Sequence, residues 1–319
     1  MGSGLHPDCN FVEILHHGTV KFRPWFVSGL LGFLFVSPAS AGESAAPAPK
    51  GVEHVFIVSF DGGGGLPAVV SGRNNMPVFK QMAEEGAVSW SAQTIFPSIT
   101  LPSHTSMLTG VGPEKHQISW NDWIPEKGLV KVPTVFSLAK AQGLKTGMFV
   151  GKSKFHHLEL PGTVDVFVWP EPKAGAREVA AAFVAKVGTL KPGVCFIHFA
   201  DPDTTGHKFG WGSPEQTAAL TDCDQALKSV CQAVTDAGLL DSSVILLTAD
   251  HGGHEKTHGS DMPEDMTIPW VAWGRGVKKH FALTQPVHTV DTAATALWLL
   301  GIPLPPEMDG KPVMEAFGP

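Results

Sequence analysis

The feature that most constrains this 319-residue chain is a rhythm: short, nearly uninterrupted apolar runs alternate with segments that read as helices. HVFIVSF (54–60), LKTGMFV (144–150), VDVFVW (164–169), GVCFIHFA (193–200), SVILLTA (243–249) and PWVAWG (269–274) have strand length. They lack the polar alternation of a sheet with one wet face, so they are expected to be covered on both sides. Between them, MPVFKQMAEEG (76–86) and TVFSLAKAQG (134–143) end on glycine, a common residue just past a helix. Ser213 and Pro214 open a long helix as N-cap and first-turn proline, and Gly238 closes it. VDTAATALWLLG (290–301) ends in the same way. The alternation predicts an α/β fold with a mostly parallel central sheet sandwiched by helices, in a single domain.

Composition narrows the function classes. An apolar fraction of 43%, with 19 Phe and 9 Trp, excludes a wholly disordered chain. The 35 Gly and 26 Pro follow no Gly-X-Y period, which removes collagen. A net charge of −7 argues against a sequence-independent binder of a nucleic-acid duplex. It does not argue against a phosphorylated substrate, because bound metal ions reverse the local field.

The first residues read as a targeting segment. Trp25 to Val36 (WFVSGLLGFLFV) is too short for a comfortable bilayer span and has the length of a signal-peptide core. Lys21 and Arg23 precede it, and Ala39-Ser40-Ala41 fits a small-residue cleavage site. A signal peptide over 1–41, a flexible lead-in over 42–50 and a globular domain over 51–319 are expected. The same reading places the product in the periplasm or outside the cell, with no stable membrane anchor after cleavage. Cys195, Cys223 and Cys231 remain. The last two share one predicted helix about 12 Å apart at 1.5 Å per residue, beyond disulfide reach. All three are expected to be small, buried apolar residues.

In a parallel sheet, sites form beyond the carboxyl ends of strands. Asp61 follows the first run, in SFDGGGG. ADPDTTGH, with Asp203 and His207 one helical turn apart, follows the fourth. ADHGGHEKTHG, with Asp250, His251, His254 and His258, follows the fifth, where the metal-type pair precedes a flexible Gly-Gly. Taken singly, these are ordinary turn and helix-surface residues. Three strand ends with carboxylates and imidazoles together point to a metal site, with zinc favoured and manganese or iron as alternatives. FPSITLPSHTSMLTG sets Thr100 just before Pro102, a first-turn proline. Its hydroxyl serves either as an ordinary N-cap or as an alkoxide favoured by the positive end of the helix.

These motifs, in this order, resemble the alkaline phosphatase superfamily, and especially its nucleotide pyrophosphatase/phosphodiesterase branch. SFDG resembles the first metal motif, TLPSH the threonine-nucleophile motif and LTGVGPEKHQISWND its continuation. DPDTTGH resembles the second metal motif, DHGG followed by HG the third, and GIPLPPEMDGKPV the closing segment. The resemblance implies two divalent ions. Asp203, His207 and His258 would hold one, with His288 as the alternative third ligand and His254 orienting a ligand from behind. Asp61, Asp250, His251 and Thr100 would hold the other. It further implies that Thr100 attacks phosphorus to give a phosphothreonine, which water then hydrolyses. Asn121 would donate to a phosphoryl oxygen. Lys152 and Lys154, in VGKSKF, resemble the phosphate-contacting pair of threonine-using monoesterases.

The expected substrate is a small phosphate ester, with monoesters slightly favoured over diesters. Ile99-Thr100-Leu101-Pro102-Ser103 lacks the cysteine and arginine of a formylglycine sulfatase, and the chain is short for a mutase with its inserted domain. A catalytically silent exported zinc-binding protein would need neither Thr100 nor Asn121. Trp120 and Trp123 flank Asn121-Asp122 and either cover the site, stack on a leaving group or form a satellite core. His104 is expected to be structural. The oligomeric state is not legible.

Overall fold

The strands that emerge from the apolar runs all belong to one sheet. The computed structural model of the chain describes residues 47–65, 75–171 and 174–318. The expected signal run and its cleavage site lie outside the described residues. In chain order the elements are β1 (His54–Phe60), α1 (Pro77–Glu85), β2 (Ala87–Gln93), α2 (Thr100–Thr109), α3 (Pro113–His116) and α4 (Val135–Ala141). There follow β3 (Thr146–Val150), β4 (Val166–Val168), α5 (Ala176–Leu190), β5 (Val194–Phe199), α6 (Asp201–Phe209) and α7 (Pro214–Asp236). The chain continues with β6 (Ser243–Thr248), α8 (Pro263–Met266), β7 (Thr267–Gly274), β8 (Phe281–Ala282) and α9 (Asp291–Leu299).

The sheet order is β4-β3-β5-β1-β6-β7-β2-β8. β4, β3, β5, β1 and β6 run parallel, and β7 is antiparallel to both β6 and β2. Side chains alternate between two apolar layers, as the period of a strand requires. Val55 and Ile57 face Leu101, Met107, Phe136 and Leu297 on one side. Phe56, Val58 and Phe60 face Phe183, Val187, Leu227 and Val230 on the other. This is the α/β sandwich that the rhythm predicts.

Several predicted termini hold. Thr134 caps α4 reciprocally with Ser137, and Ser213 accepts from the Gln216 N–H at the start of α7. Gly143, Gly238 and Gly301 take positive φ just beyond their helices, where a Cβ would be strained. Cys195 lies on β5, and Cys223 and Cys231 share α7; all three are free thiols, with Cys231 only half-buried. Among the described residues, no helix is long and apolar enough to cross a membrane.

Candidate active site

Three adjacent strands, β5, β1 and β6, end side by side and deliver Asp61, the α6 turn and Asp250-His251 to one place. Gly62 lets them meet: its φ is +66°, and a Cβ there would sit 3.0 Å from the Cα of Asp203. Its N–H donates to Asp250 Oδ1 at 3.0 Å. Asp61, Asp250 and His251 converge within the reach of a single ion, and so do Asp203, His207 and His258. The predicted third histidine is His258. His288 is exposed, precedes α9 and belongs to neither group; its backbone N–H donates to the Asp291 carboxylate.

Thr100 is not an N-cap. Ile99 occupies that position, Thr100 is the first helical residue of α2, and Pro102, the third, lies in the first turn as expected. The freed hydroxyl lies 3.4 Å from both Asp61 Oδ1 and His251 Nε2. Asn121 Oδ1 accepts from the Leu101 N–H at 2.9 Å, which leaves the amide NH2 of Asn121 as a donor at the mouth of the same helix.

The histidines are oriented from behind. Nδ1 of His207 donates to the Lys256 carbonyl (3.0 Å), Nδ1 of His251 to Gly252 (2.8 Å) and Nδ1 of His258 to Ser98 (2.8 Å). A carbonyl can only accept, so Nδ1 of each ring carries a proton, and in the neutral ring Nε2 then presents a lone pair forward. These lone pairs face other acceptors. His207 Nε2 and His258 Nε2 are 3.1 Å apart, and Asp203 Oδ1 lies 3.4 and 3.3 Å from them. His251 Nε2 is 3.2 Å from Asp250 Oδ2 and 3.4 Å from Asp61 Oδ1. Asp203 Oδ1 and Asp250 Oδ2 are buried without a hydrogen-bond donor. Acceptors crowded in this way are relieved by a proton or a cation between them. Ligand atoms ~2.0–2.1 Å from a tetrahedral ion are ~3.3 Å apart, which is the spacing seen. The donor set therefore fits two N/O-ligated divalent ions, and the stacked rings of His251 and His258, 3.7 Å apart, make the two groups neighbours.

The electrostatics agree. Burial works against the charge of Asp61, but the Lys152 ammonium and a hydrogen bond from His198 outweigh it and hold the carboxyl well below its usual range. Burial and the nearby charge of Asp61 push Asp250 well above that range. Packed carboxylates of this kind share protons until a cation neutralises them.

The two lysines differ in a way the sequence did not show. Lys152 is committed: its Nζ lies 2.5 Å from Asp61 Oδ2 and 2.6 Å from Asp203 Oδ2, tying together one carboxylate from each group. Lys154 has no carboxylate within ion-pair distance among the described residues. Burial and the charge of Lys152 lower its pKa to about 8.

Several supporting residues were absent from the sequence reading or open in it. His104, expected to be structural, is fully buried and donates from Nδ1 to the Thr100 carbonyl at 2.9 Å, while Ser59 Oγ meets its Nε2 at 2.8 Å. His254 Nδ1 meets Asp265 Oδ1 at 2.8 Å, behind the loop that carries His258. His198, in the core of β5, donates to Asp61 Oδ2 at 2.9 Å. Trp120 and Trp123 both contact His157, and Trp120 Nε1 donates to that ring; Trp120 packs against the main core, whereas Trp123 is exposed. Trp211 lies edge-on to His207 and donates to the Gly62 carbonyl.

Known proteins share both the sequence pattern and the architecture. Over residues 152 in number, the chain is 30% identical to 2,3-bisphosphoglycerate-independent phosphoglycerate mutase of Legionella pneumophila (strain Lens), covering 46% of this chain and 28% of that protein. It is 25% identical over 234 residues to venom phosphodiesterase of Macrovipera lebetinus, covering 66% of this chain and 27% of the relative. The chain thus spans little more than a quarter of the length of these relatives. An inactive threonine-to-alanine form of murine ectonucleotide pyrophosphatase/phosphodiesterase 5 bound to AMP superposes with a TM-score of 0.69 at 15% identity, over 83% of this chain and 100% of that one. A 2-O glycosaminoglycan sulfatase, BT1596, has the same fold at a TM-score of 0.66 and 16% identity, over 83% and 74%. The family model for type I phosphodiesterase/nucleotide pyrophosphatase matches residues 55–265, a stretch that begins in β1 and ends at the buried Asp265 and so contains both acid-and-imidazole groups. With that match covering well over half its length, the chain belongs to the type I phosphodiesterase/nucleotide pyrophosphatase family.

Proposed function

We propose that the protein is a two-metal phosphoric ester hydrolase with Thr100 as nucleophile. The observation that carries this reading is the Thr100 hydroxyl, which is unused as a helix cap and stands 3.4 Å from both Asp61 Oδ1 and His251 Nε2. Asp61, Asp250 and His251 would hold one divalent ion, and Asp203, His207 and His258 the other; zinc suits this nitrogen-and-oxygen set. Bound there, paired ions neutralise the spreading charge of phosphoryl transfer and lower the pKa of a neighbouring hydroxyl.

The chain's own residues supply the positioning. The N-terminus of α2 directs its positive end at the Thr100 oxygen. The amide of Asn121, fixed through its carbonyl oxygen to Leu101 N, donates to a non-bridging phosphoryl oxygen. Thr100 Oγ1 forms the new P–O bond as the ester oxygen leaves, and hydrolysis of the phosphothreonine returns the hydroxyl.

Lys154 favours a monoester. An ammonium that is partly buried and, among the described residues, has no carboxylate within ion-pair distance suits a doubly charged terminal phosphate. The family membership supports the second reading, a phosphodiester or nucleotide pyrophosphate, which the same threonine, asparagine and ion groups could serve. The test compares para-nitrophenyl phosphate with bis-para-nitrophenyl phosphate in wild type and in Thr100→Ala. Thr100→Ala is expected to lose at least ~10²-fold in kcat with its metal content unchanged. Wild-type turnover in that variant would remove Thr100 from the mechanism. Export rests on the Trp25–Val36 run and Ala39-Ser40-Ala41; N-terminal sequencing of protein from the medium or periplasm, expected to begin at Gly42, tests it.

A further inference from the structure

We propose that His198 is a positioning residue that selects which oxygen of Asp61 binds metal, and so builds the Asp61/Asp250/His251 group. The inference rests on the two-ion reading above and adds a residue outside both ligand sets. GVCFIHFA is otherwise apolar, and His198 is fully buried within it, against the rings of Phe155 and His104. An imidazole there is costly to bury unless its polar atoms are satisfied. Both are. The Gly151 N–H is shared between the His198 carbonyl (3.2 Å) and Nδ1 (3.3 Å), and the Asp61 carboxylate beside Nε2 can only accept, which places the proton on Nε2. Nε2 then donates to Asp61 Oδ2 at 2.9 Å.

This hydrogen bond sorts the two carboxylate oxygens. Oδ2 receives His198 Nε2–H and the Lys152 ammonium. Oδ1 faces His251 Nε2 and the Thr100 hydroxyl, each at 3.4 Å. With Oδ2 occupied from behind, Asp61 offers one oxygen forward and its carboxylate plane cannot turn. Lys152 alone would not fix that plane, because its Nζ is shared with Asp203 Oδ2 at 2.6 Å and sits on a flexible stem. His198 supplies a rigid donor from the sheet. The Asp203/His207/His258 group does not touch His198, so it serves as an internal control.

The test titrates metal-depleted protein with zinc, counts bound ions by elemental analysis, and records the visible spectrum of the cobalt(II)-substituted protein. Wild type is expected to bind two ions. His198→Leu, similar in bulk but without a donor, is expected to keep the Asp203 ion and to bind the other ~10–100-fold more weakly, the usual effect of removing a group that orients a ligand. The cobalt bands of one site should vanish while those of the other persist. His198→Gln, whose amide N–H reaches the same region, should restore much of the affinity. Two ions bound to His198→Leu at wild-type affinity would overturn the inference. So would loss of both ions in both variants, which would mark His198 as a packing residue. A wild type that binds fewer than two ions would instead overturn the two-ion reading, and this inference with it.

Discussion

Two lysines, two residues apart and alike in sequence, have different roles. Lys152 bridges Asp61 and Asp203, and its charge is held firmly on by them, with a pKa raised despite burial. Lys154 has a pKa of about 8, lowered by burial and by Lys152, and bound cations nearby would lower it further. It carries charge below that value and loses it above. The kcat/KM for a monoester is therefore expected to fall as pH rises through about 8 or slightly below, a limb that a pH–rate profile would show. Lys154→Arg keeps its charge throughout and should erase the limb. Lys154→Met should lower monoester kcat/KM by ~10-fold or more, on the scale of one positioned charge, and leave diester hydrolysis nearly unchanged. Equal losses on both substrates would detach Lys154 from monoester selectivity. This division was not legible in VGKSKF. Lys152 meets Asp61 and Asp203 only because β3, β5 and β1 are neighbours, and strand order is not written in local sequence. His198 was missed for a related reason, since a lone histidine in an apolar run looks like core. Asp61, Asp203, Asp250 and His251 were legible because each directly follows an apolar strand or opens the helix after it.

At the scale of the element, the segment from His254 to Ser260 belongs to no helix or strand beyond a tight turn closed by reciprocal His254–Thr257 backbone bonds, yet it carries His258. Part of its order comes from Asp265, at the end of the matched family region and fully buried in α8. Asp265 accepts from the Ser260 N–H (2.8 Å) and hydroxyl (2.7 Å) with one oxygen and meets His254 Nδ1 with the other. Asp265→Asn removes the charge and one acceptor, so the loop should no longer hold His258 against His207. Zinc affinity of the Asp203 group is expected to drop ~10–100-fold, while the Asp61 group keeps its ion. Unchanged stoichiometry and affinity by titration would show that the loop is ordered by other contacts. The adjoining Gly252-Gly253 was read as flexible, but neither residue has a positive φ. A Cβ on Gly252 would lie 2.0 Å from the Glu264 carbonyl, and one on Gly253 would lie 2.3 Å from the Trp211 ring. The pair is there for close approach, a need that appears only once distant segments are packed. β2 escaped the sequence reading because Ser89, Ser91 and Gln93 interrupt the apolar residues of AVSWSAQ, next to the edge strand. The closing segment, legible by resemblance, fastens onto the end of α2, where the Gly110 carbonyl accepts from Asp309 and Gly310.

At the scale of the whole molecule, the sheet gathers three buried carboxylates, Asp61, Asp203 and Asp250, and the Lys152 ammonium bridges only the first two. Chelation should therefore cost stability as well as activity. Ligand linkage gives about 2.7 kcal/mol per ion at a metal concentration one hundred times Kd. At roughly 2–4 °C per kcal/mol for a domain of this size, two ions correspond to a fall in Tm of about 10–20 °C. The fall should also depend on pH. In the metal-depleted protein Asp250 has its pKa raised by burial and by Asp61, so the folded state binds a proton that the unfolded state releases above about 3.9. The folded state is then favoured at low pH, and its stability declines as pH rises from that value towards the raised one. With an ion bound, the carboxylate is ionised and coordinated, and this slope disappears. Calorimetric scans with and without chelator, run at a series of pH values above about 3.9, are expected to diverge as the pH rises towards the raised value. Parallel curves over that range would mean that the acid cluster is neutralised by protein groups alone, and would remove the physical reason for placing cations there.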